Sequence, residues 1–364
     1  MVIGILGAGQ LARMLALAGK PLGLKFIFLD PTPIACAADV GKHLIGDYTD
    51  KALLTQLADE ADVITYEFEN VPVDIIDFLN QQTPVYPPAK ALLIGQDRIT
   101  EKTFLQGLGL ATAPFSDASS LAELQASMPE IGYPAILKTR RLGYDGKGQV
   151  VLRSAADLAD AWEAIKNAPA VVEGFVPFDR EISIIASRSV SGEVAYYPVS
   201  ENNHEKGILR LAQSTQDDPM QAQAERYIHT IMTALDYVGT IALELFVVGE
   251  TLIANEFAPR VHNSGHWTIE GSETSQFENH LRAVMDMPLG STDSLGYAAM
   301  QNFIGNVPAT EKLLSLSQVH LHLYDKAARK GRKLAHATIR TDSLEHYTDL
   351  ISSLTELAKH SDDS

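Results

Sequence analysis

The chain is 364 residues long, 46% hydrophobic and 21% charged, which is globular composition and enough length for about two to three domains with substantial cores. A formal charge of −17 and a pI near 5.0 argue against a nucleic-acid partner, which needs a basic footprint, yet leave small phosphorylated ligands open. Cys36 is the sole cysteine, which excludes an intramolecular disulfide; no signal-peptide pattern and no membrane-length apolar run of about 18 residues is present, so a cytoplasmic protein is expected.

In chain order, Val2–Leu6 reads as a buried-type strand, Gly9–Gly19 as a helix and Lys25–Leu29 as a second strand. Leu44 and Ile45 open a third strand, Asp50–Glu60 has helical spacing, and Val63–Tyr66 is strand-like. This alternation predicts a parallel sheet with crossover helices. The Pro-rich segment Thr83–Pro88 ends the unit and sets a first domain over residues 1–93. Asp97 caps a helix running to about Leu108. Pro134–Thr139 and Gln149–Arg153 are strands around a glycine-rich turn, Leu158–Ala164 is helical, and Ala170–Glu173, Ile182–Ala186 and Ala195–Val199 are strands. Helix Ala222–Leu235 leads to a hairpin, and Asp286-Met287-Pro288 closes a second domain over residues 94–285. Residues 286–364 read as a smaller β-rich unit, with strands Val319–Tyr324 and Lys333–Ile339 and an amphipathic helix around Leu344–Ala358.

The hairpin is the most informative local feature. Thr240–Val247 and Thr251–Ala254 flank a turn centred near Glu250, so facing residues have numbers summing to about 500, and Glu244 lies opposite Glu256. Like charges across a ladder destabilise it. Two carboxylates in an apolar sheet therefore call for a cation, and Mg2+, held by one or two carboxylates plus substrate phosphates, is the economical one. The plainer alternative is a pair of solvated positions on an edge hairpin. The run Asn255–Trp267 weighs against it, because no strand face needs Arg260, His262, Asn263 and Ser264 in such density.

Three other constellations carry chemistry. Gly7-Ala8-Gly9-Gln10-Leu11-Ala12 after the first strand, with Asp30 ending the second, matches a dinucleotide-binding turn, although many folds use such glycines only to bring helix and strand together. A phosphate of another ligand suits the same helix N-terminus. Lys138 stands inside an apolar strand and is followed by Arg140-Arg141-Leu142-Gly143-Tyr144-Asp145-Gly146-Lys147-Gly148-Gln149. Glycines and cations at one hairpin tip suit a flap over a triphosphate, whose oxygens bare N–H groups can reach; an ordinary Asp-Gly hairpin is the plainer reading. Beyond the next strand, free backbone groups in Glu173-Gly174-Phe175-Val176 can pair with an adenine edge, and Glu181 can accept from ribose hydroxyls.

In this order, Lys138, the Gly143–Gly148 flap, Glu173 to Val176, Glu181, Glu244 and Asn255-Glu256 resemble an ATP-grasp enzyme. Together with Gly7–Leu11, Tyr66-Glu67-Phe68-Glu69-Asn70-Val71-Pro72, Glu256–Trp267 and Tyr324-Asp325-Lys326, they resemble the 5-(carboxyamino)imidazole ribonucleotide synthetase family of purine biosynthesis over nearly the whole chain. One departure is Ala335, where the family usually has glycine. The resemblance implies an N-terminal Rossmann-like domain, an ATP-grasp domain and a small β-rich C-terminal domain, α/β and α+β in class. It implies that ATP meets Arg98, Lys138, Gly143, Tyr144, Asp145, Gly146, Lys147, Gly148, Gln149, Glu173, Gly174, Phe175, Val176, Glu181, His204, Asn255 and Glu256, with Mg2+ ions on Glu244 and Glu256. The aminoimidazole ribonucleotide and carboxyphosphate would meet Glu67, Tyr144, Asp145, Lys147, Arg260, His262, Asn263, Ser264, Lys326 and Arg332. Of these, Arg260, His262, Lys326 and Asp145 would lie nearest the chemistry. A homodimer is implied; biotin is not, since the acceptor nitrogen belongs to the substrate.

The implied reaction uses ATP to turn bicarbonate into carboxyphosphate and carboxylates the exocyclic amine, releasing ADP and phosphate. Three readings compete. A sister ATP-grasp ligase such as formate-dependent glycinamide ribonucleotide transformylase shares the acyl-phosphate logic, but the Arg260–Trp267 run and the Lys326 segment favour the aminoimidazole enzyme. An NAD-dependent oxidoreductase rests on the first glycine turn and Asp30, and the paired glutamates count against it. A non-catalytic nucleotide sensor has no need to retain both carboxylates and the flap lysine.

Overall fold

The apolar runs at the N-terminus pair as their two-sided burial requires. In the computed structural model, which describes residues 1–143 and 146–362, Val2–Leu6 lies between Lys25–Asp30 and Val63–Tyr66 in a parallel sheet, with Lys42–Ile45 at the edge beyond Lys25–Asp30. Chain order reverses on either side of Val2–Leu6, so its carboxyl end is a topological switch point, the place where open α/β sheets bind ligands. Glu67 and Glu69 emerge there, directly after Val63–Tyr66. Asp50 accepts hydrogen bonds from the Ala52 and Leu53 N–H groups and so starts the helix Lys51–Glu60.

A second sheet of the described residues is antiparallel, in the order Phe115–Ala118, Ala170–Gly174, Ala135–Thr139, Gln149–Leu152. Lys138 pairs with Gln149 on one side and Val171 on the other, which fixes its direction. The third sheet is the backbone of the molecule. From one edge it runs Thr251–Ala258, Gly239–Val248, Arg180–Arg188, Ser200–Glu205, Ile208–Ser214, Tyr297–Ile304, Lys333–Thr341 and Val319–Leu323, with Val194–Tyr196 also on Arg180–Arg188. It thus runs on through the segment 286–364: Leu211 pairs with Gln301, and Tyr297–Ile304 then pairs along Lys333–Thr341. Tyr297–Ile304 shows no alternation because nearly every residue is buried, with the helix Leu344–Asp362 packed against it.

The expected facing pair, Glu244 against Glu256, is present, although the strands leave the turn one step off, with Val248 against Thr251. Immediately beyond, the ladder slips, and Leu245 pairs with Ala254, leaving Asn255 as the extra residue of a β-bulge. In a regular strand, neighbours point to opposite faces. Here the bulge turns both Asn255 and Glu256 toward the same cleft. Among the described residues, no helix is long and apolar enough to cross a membrane.

Candidate active site

A cleft of 640 Å³ opens where the three sheets meet. Ile136, Lys138 and Gln149 come from the smaller antiparallel sheet; Glu181, His204, Glu244, Phe246, Asn255 and Glu256 come from the large one. Into this one cavity the fold also brings Arg98, Gly143, Gly146, Lys147, Glu67, Arg260, His262, Asn263, Lys326 and Arg332. Gly148, the segment Glu173–Val176 and Ser264 do not line it, and Tyr144 and Asp145 lie outside the described residues.

One end of the cleft is a dense charge cluster built on the helix Arg98–Gly107. Asp97 accepts from the Ile99 and Thr100 N–H groups at its start and is gripped by Arg140 at 2.9 Å. Arg98 binds Glu256 at 2.5 Å. Burial opposes ionisation of Glu256, but the charge and hydrogen bond of Arg98, with Lys138 and Lys102 behind it, hold its carboxyl well below the usual range. Glu101, accepting from the Phe257 N–H at 2.7 Å, is pushed up to about 8 by burial and by the neighbouring Glu256 charge. Below the cleft, Glu173 takes both Lys102 and Lys138 on one oxygen, at 3.2 and 3.1 Å. Its side chain is therefore a buried counter-charge. The N–H groups of Gly174 and Phe175 are also committed, to Pro114 and Pro134 carbonyls, so the free donors expected there reduce to that of Val176. On the large sheet, His204 bonds Glu181 at 2.7 Å; burial opposes its protonation, yet this bond and the Glu244 charge raise its pKa.

The other end is organised around Arg260 and His262. Glu69 takes Arg260 in a forked pair, Nε at 2.5 Å and Nη2 at 3.2 Å, and Arg260 Nη1 donates to the Val261 carbonyl. Gln276, fully buried, holds the His262 backbone at both ends: its Oε1 accepts the N–H at 2.9 Å and its Nε2 donates to the carbonyl at 2.6 Å. His262 Nε2 lies 3.1 Å from Glu244, while Nδ1 receives the Ser264 N–H at 3.3 Å. Ser264, fully buried, accepts from Ser183 at 2.7 Å and meets His262 Nδ1 at 2.9 Å, so it sits behind the imidazole rather than against a ligand. Asn263 presents both amide atoms, buried and unpartnered, among the residues lining the cleft. Buried polar atoms of this kind call for a ligand or water. Lys326 bonds Gln10 and lies over the Tyr324 ring at 5.5 Å; burial lowers its pKa.

The first glycine turn serves a different purpose from a dinucleotide loop. Glu67 accepts from the Gly9 and Ala12 N–H groups, so a carboxylate already occupies the anion seat at the helix N-terminus. Asp30 is likewise engaged by the Ala8 and Thr32 N–H groups and the Tyr48 hydroxyl. Gly7 and Gly9 are needed because Glu67 packs on them: a Cβ at Gly9 would stand 2.6 Å from Glu67 Oε1. Gly9 has φ −81°, which alanine tolerates, so the substitution tests packing alone. Gly9→Ala should cost about 2 kcal/mol of stability in thermal unfolding. The double change Gly9→Ala/Glu67→Ala should cost less than the sum of its parts; strict additivity would contradict the contact.

Lys102, Glu101, Glu69 and Gln276 escape a reading by residue type. The helical period puts Arg98, Glu101, Lys102 and Leu105 on one face, and three charges there read as solvated. In the fold this face is turned inward, and Glu101 and Lys102 are 2% and 1% exposed.

Residues 1–96 match the ribonucleotide synthetase preATP-grasp domain, residues 103–277 the ATP-grasp domain, and residues 298–349 the phosphoribosylaminoimidazole carboxylase C-terminal domain. An N5-carboxyaminoimidazole ribonucleotide synthase from Pseudomonas aeruginosa is 54% identical over 340 residues, covering 93% of this chain and 94% of that protein. The chain belongs to the N5-carboxyaminoimidazole ribonucleotide synthase family. The crystal structure of the synthetase from Thermus thermophilus is 51% identical, with a TM-score of 0.93 over 98% of both chains. The synthase from Aspergillus clavatus, solved in complex with ADP and 5-aminoimidazole ribonucleotide, is 29% identical, with a TM-score of 0.92 over 99% of this chain and 98% of that one. The ATP-grasp class and the family resemblance read from the sequence therefore hold, and the oxidoreductase and sister-ligase readings fall away. Ala335, the departure from the family's usual glycine, is fully buried mid-sheet between Phe303 and Leu323, and the preceding turn is made by Gly331 at φ 74°.

Proposed function

We propose that the two ends of the cleft divide the family's reaction, the Arg98–Glu256 end taking ATP and the Arg260–Glu69 end taking the acceptor. The chain is an ATP-dependent carbon–nitrogen ligase of purine biosynthesis. It carboxylates 5-aminoimidazole ribonucleotide with bicarbonate to give 5-(carboxyamino)imidazole ribonucleotide, ADP and phosphate. The observation that best supports the division is that a nucleotide-type cation set and a forked Arg260 share one continuous cavity, bridged by Glu244 and Glu256.

Bicarbonate carbon has no good leaving group, so ATP phosphorylates it to carboxyphosphate before the amine attacks. Arg98, Lys138 and the flap backbone are proposed to hold the triphosphate, with Glu181 and His204 at the ribose end. Glu244 and Glu256 suit Mg2+: two hard oxygen donors are opposed on a ladder, one paired with Arg98 and the other within 3.1 Å of the His262 ring. When bound, Mg2+ would neutralise charge on the phosphates during transfer. Arg260, held in one orientation by Glu69, and Lys326 are proposed to steady the oxygens of carboxyphosphate. Asn263 offers its two unpartnered amide atoms to the same ligands. His262 is proposed to relay the amine proton. Lys326, Arg332 and Glu67 are proposed to border the ribonucleotide.

Phosphate release from ATP tests the reading when bicarbonate and 5-aminoimidazole ribonucleotide are omitted in turn. Full turnover should require both. Full activity with glycinamide ribonucleotide and formate instead would overturn it.

A further inference from the structure

Lys102 is a fully buried lysine that the cleft itself does not use. It is 1% exposed, lies outside the cavity lining, and places its Nζ 3.2 Å from Glu173 Oε2 and 3.3 Å from the Asn255 carbonyl. Lys138, which does line the cavity, reaches the same Glu173 oxygen at 3.1 Å. Glu173 is 3% exposed, and its second oxygen has no hydrogen-bond partner among the described residues.

Two ammonium groups on one carboxylate leave one positive charge in surplus, and only Lys138 can deliver it to the cleft. If Lys138 turned toward an anion with no second cation present, Glu173 would remain as an uncompensated buried charge, which is strongly disfavoured. Lys102 removes that penalty. Its bond to the Asn255 carbonyl also ties the same ammonium to the bulge that turns Asn255 and Glu256 into the cleft. We propose that Lys102 is a positioning residue for nucleotide binding: it neutralises Glu173 from below and so frees the charge of Lys138 for the phosphates of ATP. The proposal rests on the cleft being the ATP site.

A charge cycle on the full-length protein tests it, reading Mg·ATP affinity by calorimetry and the ATP KM and kcat of phosphate release. Lys102→Met commits Lys138 to Glu173, so ATP affinity should fall about tenfold or more, chiefly in KM, with kcat within about threefold. Glu173→Gln should tighten ATP binding, because both lysines lose their anchor. In Lys102→Met/Glu173→Gln the surplus of one charge is restored, and affinity should return to within about threefold of wild type. Lys102→Arg should retain most of the binding. A purely structural lysine would lower the melting temperature and leave this pattern of KM values absent. Should Lys102→Met fail to fold, Glu173→Gln and the double variant still decide: tenfold weaker ATP binding in the double variant overturns the proposal. A wild-type protein that does not bind ATP overturns the reading of the cleft instead, whereas wild-type binding unchanged in Lys102→Met overturns the role of Lys102 alone.

Discussion

Glu256→Gln should abolish turnover and leave the fold intact. Glutamine keeps the volume and an acceptor oxygen but removes a charge that several groups share. Arg98 loses its 2.5 Å partner, and the Glu244–Glu256 pair loses half its capacity for a divalent cation. Glu101, whose pKa is pushed up by burial and then by the Glu256 charge, should fall back toward the ordinary carboxylate range. The surplus positive charge that remains still attracts ATP, so the loss should appear in kcat rather than in binding. A fall of about a hundredfold or more is expected, since the removed interaction acts on the phosphoryl group as it transfers. Phosphate release with both co-substrates measures it, alongside thermal unfolding to confirm the fold. Retention of more than about a tenth of wild-type kcat, a cost under about 1.4 kcal/mol, would remove Glu256 from any essential metal-ligand role.

The strands and helices with one clear period were legible in the sequence, often to the residue: Val2–Leu6, Val63–Tyr66 and Leu158–Ala164 fall where their apolar patterns put them. The facing of Glu244 and Glu256 was legible, but the turn alone does not produce it: the strands leave the turn with Val248 against Thr251, one step from the expected register, and the extra residue Asn255 brings Glu256 opposite Glu244. The bulge at Asn255 was not legible, since one extra residue changes no residue type; only the unusual demand that two adjacent polar side chains share a cleft hints at it. Strands such as Ser200–Glu205 and Tyr297–Ile304 were missed for opposite reasons. The first, Ser-Glu-Asn-Asn-His-Glu, is polar because His204 lines the cleft and Asn202 holds a buried hydrogen bond to Ser183; the second is buried along nearly its whole length. Glu67 was legible as a functional acid but not as a helix cap, because its partners Gly9 and Ala12 lie on a separate element and are backbone donors. Ser264 looked like a ligand contact by its place in the Arg260–Trp267 run. The fold turns it inward to Ser183, a partner 81 residues away.

Arg260→Met should remove use of the acceptor while sparing ATP. Arg260 is fixed by its forked pair with Glu69 and by the Val261 carbonyl, so its guanidinium enters the cleft already oriented. Preorganised donors of this kind act chiefly on charge that develops during reaction. The kcat/KM for 5-aminoimidazole ribonucleotide should fall about a thousandfold, roughly 4 kcal/mol, with ATP affinity within about threefold of wild type. Arg260→Lys keeps the charge but not the fork and should fall between. The variant also carries a pH signature through Glu69. In the wild type, burial opposes ionisation of Glu69, but Arg260 prevails and lowers its pKa, so the pair stabilises the fold above the unfolded carboxylate value and loses this contribution as pH falls through the lowered pKa. Without Arg260, burial and the Glu256 charge push the pKa of Glu69 up, so the variant instead loses stability as pH climbs through that raised value. The gap in melting temperature between wild type and Arg260→Met should therefore widen from about pH 5 to pH 7. A gap independent of pH would mean that Glu69 and Arg260 are not coupled as the forked geometry requires, and unchanged kcat/KM for the ribonucleotide would remove Arg260 from the acceptor site.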